Sequence, residues 1–155
     1  MSWLPASASG ETPMDRVFGL RPNLYEQYEH FSSLFWTLRP VDPVLLELCR
    51  LRIAQLLGCA SALAIRNQPA RPAGLTDAKV GALADWRGAP EFSDTERACL
   101  GFAEKFVTDP HGVTDADAAA VTAHLAATEM VAFTEALAVF DGFTRFKVIL
   151  GIDSE

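Results

Sequence analysis

The sequence predicts an all-α protein of six or seven helices, and three observations carry that prediction. Apolar residues recur three and four apart, as Leu24, Tyr28, Phe31, Phe35 and Leu38 do, which is the period of one helix face. Helix-start signals stand before the apolar stretches at Asp42-Pro43, Thr76, Ser93 with Glu96, and Thr114. Strand-like alternation is scarce, and no repeat or low-complexity segment appears beyond alanine enrichment.

At 155 residues, half of them hydrophobic, the chain is long enough to bury one core. Residues 1–21, with Pro5, Gly10, Pro13 and Gly19, read as a partly extended arm with one short turn around Met14 to Phe18. Holding Trp3, Leu4 and Phe18, this arm is expected to dock on a neighbouring subunit. A single helical domain then occupies 22–151. Pro22 suits a first helical position, and the amphipathic helix it opens ends near Arg39-Pro40. Asp42 caps the next helix, with Pro43 at its first position and Val41 stapled to Leu46. This helix is expected to run to Leu57, closed by Gly58 in a left-handed conformation.

A short apolar helix from Cys59 to about Asn67 follows, and the two segments form a hairpin about Gly58. Residues 68–74, with Pro69 and Pro72, read as a connector without regular helix. Thr76 caps a helix to about Trp86, with Leu75 and Val80 as staple. Ser93-Asp-Thr-Glu96 is a capping box for a helix to Thr108, and Asp109-Pro-His-Gly112 is a turn. One helix runs from Thr114 or Asp115 through His124. The last covers about Thr128 to Leu150, with Asp141 and Arg145 one turn apart as an ion pair.

The net charge of −7 spreads no basic field, so nucleic acid and acidic membrane surfaces are not expected partners. Cys49, Cys59 and Cys99 have neither zinc nor disulfide-framework spacing and read as reduced thiols of a cytoplasmic protein. The N-terminus lacks a basic start and an apolar block, and no run reaches the ~18 apolar residues of a membrane span. His30, His111 and His124 share no metal-binding spacing, so no metal and no cofactor is expected. No phosphate-binding loop or nucleophile elbow is present.

The stretch that carries chemistry runs from Glu47 to Arg66. It offers a carboxylate at Glu47, a break at Gly58, and Cys59 at a helix start, where unpaired N–H groups and the helix dipole favour a thiolate. Reversal at Gly58 brings Glu47 and Arg66 into reach of an ion pair; Arg50 and Arg52 are the other cations available to Glu47.

The spacing Glu47-x11-Cys59, with Arg52, Ala54, Gln55 and Gly58 between, resembles the alkyl hydroperoxidase D and carboxymuconolactone decarboxylase family. That family's pattern is Glu-x11-Cys-x-x-Cys-x3-His. The glutamate falls on Glu47 and the first cysteine on Cys59, while the second cysteine falls on Ala62 and the histidine on Arg66. The resemblance implies an alkyl hydroperoxidase D-like fold and a homo-oligomer. It also implies peroxidase-related thiol oxidoreductase chemistry, whose usual dithiol cycle cannot close here without the second thiol.

Three functions follow. In the first, Cys59 reduces a peroxide through a sulfenic acid resolved by an external thiol. In the second, the chain is a non-redox enzyme like the lactone decarboxylase branch. Glu47 and a histidine then do acid and base work, and Arg66 holds the carboxylate of a small substrate. In the third, a helical oligomer binds a ligand or partner without chemistry. Each candidate also has a structural role available: Cys59 as a small hydrophobe, Glu47 and Arg66 as structural ion pairs. His30, on the aromatic helix after Tyr25 and Tyr28, is a candidate pocket residue.

Overall fold

In the computed structural model, described over residues 4–5 and 12–152, nine α-helices and two 3-10 turns account for the regular structure of the described residues. The helices are α1 (Pro13–Phe18), α2 (Pro22–Thr37), α3 (Pro43–Leu56), α4 (Ala60–Ala64), α5 (Ala70–Ala73), α6 (Asp77–Ala82), α7 (Asp94–Thr108), α8 (Asp115–Thr122) and α9 (Ala127–Ile149). The count exceeds six or seven because α1 and α5, of six and four residues, stand where the sequence predicts a turn and a connector without regular helix. No single helix among the described residues is long and apolar enough to cross a membrane.

Helix α3 is the centre of the molecule. Val44 to Cys49, Leu51, Ile53 and Ala54 are all buried, so the helix lacks a solvent face and is enclosed by α7, α9, α4 and α5. Its start is as the sequence predicts. Asp42 Oδ1 accepts the Val44 N–H at 2.7 Å and the Leu45 N–H at 3.4 Å, with Pro43 at the first position where no N–H is needed. Its own Leu46 and Leu48 pack with Leu83, Leu100, Phe133 and Leu137 of the surrounding elements in the fully buried core. Cys49 and Cys99 belong to that core.

Gly58 ends α3 with φ +65°. Its N–H bonds to the Gln55 carbonyl at 3.2 Å and the Cys59 N–H to the Ala54 carbonyl at 2.9 Å, the paired closure that turns a chain back on itself. The expected reversal is therefore present, but the helix after it is shorter than 59–67. It stops at Ala64, because Ile65 turns extended at φ −75°, ψ 141°. The 68–74 connector holds one helical turn, α5, with Pro72 inside it. A single turn has no internal acceptor for its first N–H groups, so proline costs nothing there. The Thr76 helix gives way to a 3-10 turn at Leu83–Asp85 before Trp86.

The arm differs more. Thr12 caps α1 through a reciprocal box with Asp15, and Phe18 is buried. Phe18 stacks on Tyr25 (4.5 Å between centroids), Tyr28 (5.7 Å) and Phe146 (5.0 Å) of its own chain. Docking of Phe18 on a neighbouring subunit is thus corrected to docking on α2 and α9, which supply the aromatic surface it needs. Leu4 is exposed, and Trp3 lies outside the described residues.

Two ion-pair networks brace the core. Arg145 Nε bonds both oxygens of Asp141 at 2.8 and 3.0 Å, as expected, and its Nη2 reaches the Val107 carbonyl. Glu104, nearly buried on α7, accepts from Arg52 Nε, Trp86 Nε1 and Arg87. Burial works to raise this carboxyl's pKa, but the hydrogen bonds from Arg87, Trp86 and Arg52 together outweigh it and hold the group below its ordinary value.

Candidate functional site: the clamp beside a cavity

Glu47 is wholly buried, and a buried carboxylate must be paired. Its partner is Arg50, three residues along the same helix. Nε meets Oε2 at 2.8 Å and Nη2 meets Oε1 at 2.7 Å, the two-pronged fit of a planar guanidinium on a planar carboxylate. Asn67 supplies the rest, its N–H to Oε1 at 3.1 Å and its Nδ2 to Oε2 at 2.7 Å. Each oxygen therefore holds two donors, which fills the acceptor capacity of the group. Arg50 is equally engaged, with Nη1 on the Ala62 carbonyl at 2.8 Å and Nη2 on the Ile65 carbonyl at 2.7 Å. The cluster ties α3 to the C-terminal end of α4 and to the segment after it.

The expected Glu47–Arg66 pair is corrected by this arrangement. The break at Ile65 carries Arg66 to the exposed surface, where its Nη1 donates to the Leu63 carbonyl and, at 2.9 Å, to the Ile65 carbonyl. Asn67 is what arrives at the carboxylate. The sequence offered Arg50 as one of three neutralising cations, but nothing in it pointed to Asn67, twenty positions from Glu47 and inside a segment read as helix.

Cys59 is the N-cap of α4 and wholly buried. Its Sγ lies 3.6 Å from Ser61 Oγ. It packs in a small cluster with Ala54, Ala62 and Leu63, apart from the main core that holds Cys49 and Cys99. Ala62, at the second-cysteine position, is buried against it as a methyl group. Burial pushes the Cys49 thiol well up and the Cys99 thiol up to about 12, so neither is poised as a nucleophile.

Beside the clamp lies a cavity of about 680 Å3, a size that takes a small organic molecule. Tyr28 and Trp36 of α2, Ser61 of α4 and Asn67 line it, with Glu29 and Lys147 among its charged side chains. Asn67 thus belongs to both structures, holding Glu47 from one side and forming cavity wall on the other. Neither Arg66 nor His30 is on the wall; both are exposed. No sequence signal located the cavity, because its walls come from α1, α2, α4 and the end of α9.

Comparison with known proteins bears on this architecture. The model of the carboxymuconolactone decarboxylase family matches residues 22–105, which spans α2 to α7. The uncharacterized protein YnjA of Escherichia coli K12 is 32% identical over 158 residues, covering 99% of this chain and 86% of its own. A crystal structure from Agrobacterium tumefaciens, of a protein of unknown function considered a candidate antioxidant defence protein AhpD, superposes with a TM-score of 0.76. It is 23% identical, over 90% of this chain and 94% of that one. At that identity the likeness is one of fold.

Proposed function

This chain belongs to the carboxymuconolactone decarboxylase family, and from that premise we propose that it is a small-molecule-binding member in which the motif serves as a structural clamp rather than a redox centre. The observation that carries the reading is the closure of Glu47. With both oxygens doubly bonded to Arg50 and Asn67, the carboxylate has no acceptor position left to take a proton from a thiol or a substrate. The dithiol cycle associated with the family also needs a second sulfur, and the residue there is Ala62.

The lactone decarboxylase type of reaction finds little support for the same reason. Arg66, the expected holder of a substrate carboxylate, is not on the cavity wall and donates to the backbone carbonyls of Leu63 and Ile65, and His30 is likewise off the wall. What remains is the cavity, bounded on one side by a residue that the clamp holds rigid.

The test is peroxide consumption with cumene hydroperoxide and excess dithiothreitol, comparing the wild-type chain with Cys59→Ser. Equal rates, at the level of reductant alone, are expected. A rate that depends on Cys59 would overturn the reading and return the chain to one-cysteine peroxidase chemistry through a sulfenic acid.

A further inference from the structure

We infer that the cavity selects an uncharged, ring-bearing alcohol over a carboxylate of the same shape; this rests on the reading of the cavity as the binding site. Asn67 is held in one orientation. Its carboxamide is not free to turn, because Nδ2 donates to Glu47 Oε2 at 2.7 Å while its backbone N–H holds Oε1. Reversing the amide would set an oxygen against a buried carboxylate. Oδ1 is therefore the amide atom left for a ligand, and it only accepts hydrogen bonds. A hydroxyl satisfies it, whereas a carboxylate, having no donor, meets it with repulsion.

Charge acts in the same direction. The wall carries two carboxylates, Asp15 and Glu29, against one ammonium, Lys147. Asp15 already accepts from Thr12 and, at 2.8 Å, from the Tyr25 hydroxyl, but its negative charge remains. The nearby guanidiniums are committed to other groups: Arg50 to Glu47 and two carbonyls, Arg66 to the carbonyls of Leu63 and Ile65. A ligand anion entering here gains one cation and meets two like charges. The cavity also offers apolar surface, for Tyr28, Trp36, Ala64 and Ile65 line the space. A ring fills such a volume with dispersion contacts and releases water from it.

The matched probes are 2-phenylethanol and phenylacetate, titrated into the 15N-labelled full chain at pH 7. The Asn67 carboxamide and Trp36 indole N–H signals are the readout. Saturable shifts with 2-phenylethanol are expected, with phenylacetate weaker by about ten-fold, the repulsion of like charges about 12 Å apart at an effective dielectric of about 20. Glu29→Lys, at an exposed helix position, is expected to close that gap by improving phenylacetate. If phenylacetate binds as well as the alcohol, or if Glu29→Lys leaves the ratio unchanged, the selectivity inference is overturned and the cavity stands as a binding site. If neither probe gives a saturable shift, the inference and the binding reading fall together.

Discussion

Replacing Arg50 by methionine keeps the aliphatic stem in place and removes the guanidinium, which makes it the sharpest test of the clamp. Glu47 then loses both charge-assisted bonds and keeps only the two from Asn67, while the carbonyls of Ala62 and Ile65 lose their donor. Glu47 is wholly buried and the Arg50 side chain is 11% exposed, so water does not take the guanidinium's place on the carboxylate. Breaking such a pair by removing one partner costs about 3–5 kcal/mol. That is roughly a 2 M fall in urea midpoint and on the order of 10 °C in Tm for a domain of this size. Urea unfolding followed by far-ultraviolet circular dichroism measures it. Arg71→Met is the control, because the Arg71–Asp77 pair is 67% and 88% exposed and its removal costs about 0.5 kcal/mol or less. Adding Glu47→Gln to Arg50→Met is expected to recover part of the loss, since the uncompensated charge is gone. A cost for Arg50→Met below about 1 kcal/mol, or a double variant less stable than the single, would refute the argument that a desolvated ion pair holds this region together.

Cys49 and Cys99 are expected to resist alkylation in the native chain at pH 8 and to react only on unfolding; labelling of Cys99 in the folded protein, read by mass spectrometry, would contradict the burial argument. Because the Cys99 thiol is raised from 9.0 to about 12 in the fold, the unfolded state releases its proton first. Stability should then fall as pH rises from about 9 towards 12, less steeply in Cys99→Ala, as alkaline denaturation curves will show. Glu104 is held below its ordinary value of 4.5, so its contribution is present above that pH and lost as pH falls. Glu104→Gln should cost about 3 kcal/mol at pH 7, with the variant and wild-type urea curves converging below pH 4.5. Gly58→Ala has open space around the new methyl group but keeps φ at +65°, so it should cost about 1–2 kcal/mol from backbone strain alone; a neutral result would mean that the turn after α3 is not closed in the left-handed conformation.

What the sequence determined by itself was local. Asp42 with Pro43, the Ser93–Glu96 box, Thr76, Thr114, Gly58 and the Asp141–Arg145 pair all act between residues fewer than five apart, and each is where its spacing placed it. The spacing of Glu47 and Cys59 also identified the family and so the fold. Tertiary structure decided which groups meet. Whether Glu47 pairs with Arg50 or Arg66 turned on where α4 stops, and it stops at Ile65, three residues before the proline-containing connector begins. That early stop delivers Asn67 to the carboxylate and sends Arg66 to the surface. Phe18 likewise found its aromatic partners on helices that begin four and more than a hundred residues later. The cavity exists only where four separated elements converge. Capping and helix period depend on neighbours along the chain and are written in any short window of it. Ion pairing in a buried site and the shape of a void depend on which distant surfaces pack, a balance of burial and desolvation that no window contains.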